Sequence, residues 1–184
     1  MKRHVLLTGE IGAGKSTALH KTLELLQGVP VHGLQTYYAE AREAQNRQLY
    51  LRAWGSAQPG VFLTQLPGTD YAAMTKVYDT EGCALLEDAR RQSGVIVIDE
   101  IGRLERDART YHRALLTCLD GDMPVLAVIR KHKADWANWV RQHPKATLLE
   151  VTEDNRDGIP AQAYALLMGK GCDTMEDGYG HLDA

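Results

Sequence analysis

Gly9-Glu10-Ile11-Gly12-Ala13-Gly14-Lys15-Ser16, with Thr17 behind it, is the stretch on which the fold turns. It fills every fixed position of the pattern GxxxxGK[ST]. Gly9 and Gly14 permit positive φ, and their missing side chains let a phosphate approach the main chain. Successive N–H groups then point inward, reinforced by the positive end of the helix that follows. Lys15 offers a cation to β- and γ-phosphates, its ammonium expected to face solvent when no ligand is bound. Ser16 offers a hydroxyl to Mg²⁺. A bare glycine-rich turn is the plain alternative, and the flanks argue against it. The compact apolar run His4 to Thr8 reads as a buried strand, and Ala18, Leu19, Leu23 and Leu26 recur at helical spacing until Gly28 and Pro30 stop them. Strand, glycine loop, helix is the context that phosphate binding requires, so Gly9 to Thr17 are expected to hold a nucleoside triphosphate.

The next decisive stretch is Val95-Ile96-Val97-Ile98-Asp99-Glu100. Four β-branched apolar residues closed by an acid read as a central strand that ends in a Walker B pattern. Asp99 is expected to hold Mg²⁺ through a water. Glu100, one residue on, is expected to orient and polarise the water that attacks the γ-phosphate. A surface turn after a strand is the alternative, and the glycine loop upstream disfavours it. Asp99-Glu100-Ile101-Gly102 also satisfies the DxxG of switch GTPases. That reading needs a guanine-specific NKxD, and Asn155-Arg156-Asp157 lacks the lysine.

Between and beyond these motifs, strands alternate with helices. Strands are expected at Val31 to Tyr38, Val125 to Ile129 and Thr147 to Val151. Helices are expected at Thr80 to Gln92, Ala108 to Leu119, Asp135 to Arg141 and Pro160 to Leu167. Alternation of this kind implies an α/β domain with a mostly parallel sheet, right-handed crossovers and helices on both faces. Gln48 to Trp54 and Val61 to Leu66, set off by Pro59-Gly60 and Pro67-Gly68, read as a β-hairpin insertion. Residues 1–168 form a single expected domain. Residues 169–184, rich in Gly, Asp and Glu without periodicity, are expected to be a disordered tail.

Composition excludes several classes. The 44% hydrophobic content suits a globular core, and a net charge of −3 gives no global attraction to nucleic acid or an anionic membrane. Arg130-Lys131-His132-Lys133 is the single basic cluster, read as a solvated loop with room for one arginine to turn towards the site. No apolar run is long enough to span a bilayer, and Gly9 and Glu10 interrupt the first one too early for a signal peptide. Cys83, Cys118 and Cys172, odd in number and far apart, fit buried thiols better than disulfides or zinc, so a cytoplasmic location is expected.

With both motifs in place, the chain resembles the small nucleoside-triphosphatase family often called cancer-related nucleoside-triphosphatase after its human member. Gly9 to Thr17 carry the resemblance first. Gly33-Leu34-Gln35-Thr36 is similar to the family's glycine–aromatic–x–threonine strand. Val95 to Glu105 (VIVIDEIGRLE) and Val151 to Asp157 (VTEDNRD) complete it, and these last two are the more specific. The resemblance implies a RecA-like P-loop domain with a further strand between the P-loop and Walker B strands. It also implies slow Mg²⁺-dependent hydrolysis of ATP, GTP and other nucleoside triphosphates. Asn155 and Arg156 would then lie near the base and tolerate several bases. The chain departs from the family at Tyr37 to Arg42 and at Arg130, where histidine is common. Two other functions compete. One is a nucleotide or small-molecule kinase using the same P-loop, with residues 45–66 as its acceptor pocket. The other is a binding module whose hydrolysis times an interaction. Glu100, which suits a water nucleophile, favours the hydrolase.

Overall fold

The apolar runs of the sequence become the inner strands of a seven-stranded sheet. The computed structural model describes residues 3–41, 43–131 and 136–169. In chain order the strands are β1 (His4–Thr8), β2 (Val31–Tyr38), β3 (Arg47–Ala53), β4 (Val61–Leu66), β5 (Val95–Ile101), β6 (Val125–Ile129) and β7 (Ala146–Glu150). The helices are α1 (Lys15–Leu25), α2 (Tyr71–Val77), α3 (Cys83–Arg90), α4 (Arg109–Asp120), α5 (Ala137–Arg141) and α6 (Ile159–Leu167). The spatial order is β4-β3-β2-β5-β6-β1-β7, parallel from β2 to β7, with β3 and β4 antiparallel at one edge. β6 lies between the P-loop strand β1 and the Walker B strand β5, which is the extra strand the resemblance implies.

Side chains alternate across a strand, so each continuous apolar run feeds two cores. Val95 and Val97 of β5 pack with Val5, Leu7, Leu126 and Val128 beneath α1 and α6. Ile96, Ile98 and Ile101 pack with Leu6, Ala127 and Ile129 beneath α3 and α4. In α4 the buried positions are Tyr111, His112, Leu115, Cys118 and Leu119, the stripe of a helix lying on a sheet. The hairpin insertion is present, and Leu49, Leu51 and Leu63 on its inner face belong to the second core.

One helix differs from expectation. The sequence predicts it over Thr80 to Gln92, yet it starts at Tyr71. Asp70 caps α2 by accepting the Ala73 N–H at 3.0 Å. A π-helical turn, Tyr78–Gly82, then joins α2 to α3. The wider turn lets Met74 and Tyr78 share the buried face with Leu86 and Ala89, a phase that a 3.6-residue period misses. It also presents Asp79, whose carboxylate accepts the Tyr111 N–H at 2.9 Å and fixes the start of α4.

Cys83 and Cys118 are free and buried, and burial pushes their thiols up to about 11 and about 12, so both are unreactive at neutral pH. Cys172, Arg42, His132, Lys133, the first residue of the helix expected from Asp135 and the tail after Gly169 lie outside the described residues. No described helix is long and apolar enough to cross a membrane.

Candidate active site

β1 hands the chain to the loop at Gly9, with φ 146°. A Cβ on Gly9 would stand 2.3 Å from the Val151 carbonyl oxygen, so glycine alone passes there. The loop ends at Gly14, left-handed at φ 98° and ψ 18°, from which α1 begins without a side-chain cap. The first-turn N–H groups of α1 are therefore left to a ligand, and the helix dipole favours an anion. Ser16 and Thr17 are exposed at the helix start. Glu10, Gly12 and Ile11, the last 88% exposed, form the outer lip, and Ala13 is buried beneath it.

Lys15 departs from the sequence reading. Its ammonium does not face open solvent but turns back on the loop, donating to the Gly9 carbonyl at 3.0 Å and the Glu10 carbonyl at 2.7 Å. Two carbonyl oxygens thus hold the cation over the cradle in which phosphate oxygens would replace them.

The C-terminal ends of β1, β6 and β5 meet at this loop, through the pairs Leu7↔Val128, Ile98↔Ala127 and Ile101↔Ile129. The register shifts between Ile98 and Ile101, and the irregularity holds Asp99 and Glu100. Both are half-buried. Asp99 lies on the α1 side, and its pKa is raised above the ordinary value by burial first and by Glu100 second, with His20 opposing. Glu100 accepts both Nε and Nη2 of Arg130, the Nη2 contact to Oε2 being 3.5 Å. Lys131 spans the other side, 2.9 Å from Glu10 Oε1 and 2.7 Å from Glu150 Oε1. The basic cluster of the sequence therefore does turn an arginine towards the site.

Asn155 and Arg156 sit apart from this acidic pair, past the end of β7. The Asn155 amide is consumed locally: Oδ1 accepts the Thr152 N–H at 2.9 Å and Nδ2 donates to the Glu150 carbonyl at 2.8 Å. Arg156 lies over Gly14, its Cδ 3.6 Å from where a Cβ on that glycine would be. Arg156, Gly14, Thr17, Ala18, Lys21 and Asp157 line a cavity of about 210 Å³ beside the start of α1.

Sequence reasoning gave Glu105 no role. Its carboxylate is 2% exposed and accepts the Gly102 N–H at 2.6 Å. Burial raises its pKa to about 7, against the Gly102 hydrogen bond, which lowers it. His112 donates Nε2–H to the Glu105 carbonyl at 2.8 Å and stacks on Trp136 at 3.8 Å. The signal was present in the spacing: an acid three residues beyond a glycine can close a turn on that glycine's N–H.

The model of the NTPase family matches residues 4–164, which include every site residue described above. The chain belongs to the NTPase family. Among curated relatives, the nucleoside-triphosphatase THEP1 of Thermofilum pendens is 32% identical over 170 residues, covering 87% of this chain and 92% of the relative. The mouse cancer-related nucleoside-triphosphatase homolog is 28% identical and covers 91% and 97%. The solution structure of a human cancer-related nucleoside triphosphatase aligns with TM-score 0.63 at 26% identity, covering 91% and 98%. The crystal structure of THEP1 from Aquifex aeolicus aligns with TM-score 0.70 at 24% identity, covering 89% and 98%, and shares the fold. The NTPase chain spans most of each of these relatives, with helices on both faces of a mostly parallel sheet.

Proposed function

We propose that the protein is an Mg²⁺-dependent nucleoside-triphosphatase that converts ATP, GTP and other nucleoside triphosphates to the diphosphate and phosphate. The observation that carries this reading is the meeting of Gly9 to Thr17 with Asp99 and Glu100 at the ends of three adjacent parallel strands. The triphosphate lies along the loop, with Lys15 on the β- and γ-oxygens. A water oxygen attacks the γ-phosphorus, and its proton passes to the Glu100 carboxylate. The bond to the β–γ bridging oxygen breaks, and its electron pair leaves with the diphosphate.

The donors suit a hard cation: a serine hydroxyl at Ser16 and a carboxylate at Asp99. Partial burial disfavours the charged form of Asp99, and a divalent ion beside it would offset that cost. Among the described residues no group of three or more His, Cys, Asp or Glu could hold a metal alone. Mg²⁺ therefore suits this site as a partner of the triphosphate, completing its shell with phosphate oxygens and water. When bound it would neutralise charge on the β- and γ-oxygens. Arg156 is the residue for the base, stacking on purines and pyrimidines alike. Buried, unreactive thiols agree with a cytoplasmic location.

The kinase alternative places an acceptor at residues 45–66. The inner face of that hairpin is spent on the core, and on its other face Tyr37 and Tyr50 stack at 5.6 Å while Tyr37 Oη accepts the Gly60 N–H at 3.0 Å. The deciding experiment is phosphate release from ATP and Mg²⁺ under single-turnover conditions with no acceptor. Release above background supports the hydrolase. No release, together with phosphorylation of an added nucleotide or small metabolite, supports the kinase.

A further inference from the structure

We propose that Arg130 is the arginine that serves the γ-phosphate, supplied by this chain itself and parked on Glu100 until a triphosphate arrives. The inference rests on the hydrolase reading and adds to it a residue that senses and stabilises the transferred group.

The main chain at position 130 is pinned from two sides. Its N–H donates to the Ile101 carbonyl at 2.9 Å, at the end of the Walker B strand. Its carbonyl accepts Nη2 of Arg141 from α5. From that fixed base the side chain runs across Gly102. A Cβ there would stand 2.8 Å from Arg130 Cδ and 3.0 Å from Cγ, so the missing side chain is the slot in which the arginine lies. The slot aims the guanidinium at Glu100, the residue beside the γ-phosphate in the proposed reaction.

Three neighbouring cations among the described residues are placed elsewhere. Lys131 is shared between Glu10 and Glu150. Arg141 binds the Arg130 carbonyl and Asn138 Oδ1. Arg156 lies over Gly14, beside the start of α1. Among the described residues, Arg130 is the arginine in contact with the Walker B carboxylates.

Its present contact is suited to exchange. The side chains of Arg130 and Glu100 are 44% and 35% exposed, so the pair is held weakly and can part without leaving a buried charge. A terminal phosphoryl group carries more charge than a carboxylate and offers three oxygens to the same planar fork. While the fork is on Glu100, the carboxylate oxygens face the guanidinium rather than a water. When the fork moves to the γ-phosphate, two things happen together: Glu100 is released to the lytic water, and the guanidinium meets the charge on the equatorial oxygens. After hydrolysis and loss of phosphate the diphosphate offers no γ-oxygen, and Arg130 returns to Glu100. Discrimination between triphosphate and diphosphate therefore resides at position 130.

The test uses the full chain with Arg130→Gln and Arg130→Lys. Affinities for ADP and for a non-hydrolysable ATP analogue are measured by titration calorimetry with Mg²⁺, beside kcat and KM for ATP. Arg130→Gln is expected to lower kcat by about 10³-fold, the lower end of the range for an arginine acting on a transferred phosphoryl group. It is expected to weaken the analogue about tenfold while ADP affinity stays within about twofold, which also reports an intact loop. Arg130→Lys should restore part of the analogue preference, through charge, and little of kcat, because the fork is lost. The proposal is overturned if Arg130→Gln keeps both kcat and the analogue-to-ADP ratio within about threefold of wild type. A rise in kcat also overturns it, since the arginine would then only restrain Glu100. If the wild type releases no phosphate, the hydrolase reading fails, while the analogue-to-ADP ratio still tests Arg130 by itself.

Discussion

The two sides of the glycine loop are built by different means. On the side of β5 and β6, the acidic pair sits on strand ends within the sheet, Glu105 is buried beneath Gly102, and Arg130 grips Glu100 from a slot. On the side of α1 and α6, residues 153–158 are exposed, Asn155 serves its own loop, and Lys21 meets Asp157 at 3.6 Å with both side chains largely in water. Backbone position and partial burial set the groups on the first side, even where the Arg130–Glu100 contact itself is exchangeable, whereas those on the second are solvated side chains. A reaction at phosphorus tolerates little misplacement, whereas a stacking contact with a base tolerates a good deal. The contrast predicts an enzyme strict about phosphates and lax about bases, and the substitutions below probe it.

The loop common to both sides has the largest expected effect. Lys15→Ala removes the cation from the β- and γ-phosphates, each charge-assisted contact being worth about 1.5–3 kcal/mol. ATP binding in titration calorimetry and phosphate release are both expected to fall to background. The fold should survive, because the lost contacts to the Gly9 and Glu10 carbonyls are partly solvated and worth about 1–2 kcal/mol in total. A melting curve shifted by a few degrees at most, together with absent turnover, is the expected pair of results. Turnover and affinity unchanged from wild type would refute phosphate binding on this loop.

On the strict side, Glu100→Gln keeps volume and removes the basic oxygen. Affinity for ATP is expected to persist while single-turnover phosphate release drops about 10²- to 10⁴-fold. Asp99→Asn should differ in kind and shift the dependence of rate on Mg²⁺ concentration. Equal rates for wild type and Glu100→Gln would sink Glu100 as the base.

The parallel core and the strict side were largely legible in the sequence. Four β-branched residues in a row can be little other than a buried strand, and Gly14-Lys15-Ser16 leaves few alternatives. Besides the role of Glu105, two things escaped because they depend on backbone dihedral angles or on an unusual phase. The helix from Tyr71 escaped because its π-helical turn shifts the apolar period at Tyr78, and its polar residues Lys76, Asp79 and Glu81 blur what remains. The resting place of the Lys15 ammonium escaped because it is set by loop carbonyls whose directions follow from the glycine dihedral angles, not from residue types. Asn155 shows the converse: a motif residue assigned to the base spends its amide on the Thr152 N–H and the Glu150 carbonyl.

Burial on the strict side should be visible in stability. Glu105 ionises near 4.5 in an unfolded chain but stays protonated to about 7 in the fold, because burial outweighs the Gly102 hydrogen bond, with Glu100 raising and Arg130 lowering the value. Between those values the folded state holds more protons than the unfolded one. Stability therefore falls as pH rises through this window and levels off above about 7. The difference between 4.5 and about 7 corresponds to roughly 3 kcal/mol. Glu105→Gln keeps an acceptor for the Gly102 N–H and removes the titration. Denaturant melts at pH 5 and pH 7.5 should show the variant gaining on the wild type as pH rises. His4 and His112, both lowered by burial, push the other way but do so in both proteins. A gap between the two proteins that does not change with pH would mean that Glu105 is ionised in the fold.

The smallest effects belong to the lax side, and there the two residues of the motif should separate. Arg156 presents a planar cation beside Gly14 and Thr17, and a guanidinium stacks on any base. Initial rates with ATP, GTP and CTP are expected to agree within about an order of magnitude, a spread of roughly 1.4 kcal/mol. Arg156→Ala should raise KM for all three by a similar few-fold and leave kcat nearly unchanged, because stacking contributes equally to ground and transition states. Asn155→Ala should behave otherwise. Its amide closes the loop from Glu150 to Asn155, so its loss should cost about 1–2 kcal/mol of stability and alter all bases alike. A hundredfold preference for one base, abolished by Asn155→Ala alone, would reverse both assignments: it would require the amide to leave the Glu150 carbonyl and read a base edge, and the loop would then be strict after all.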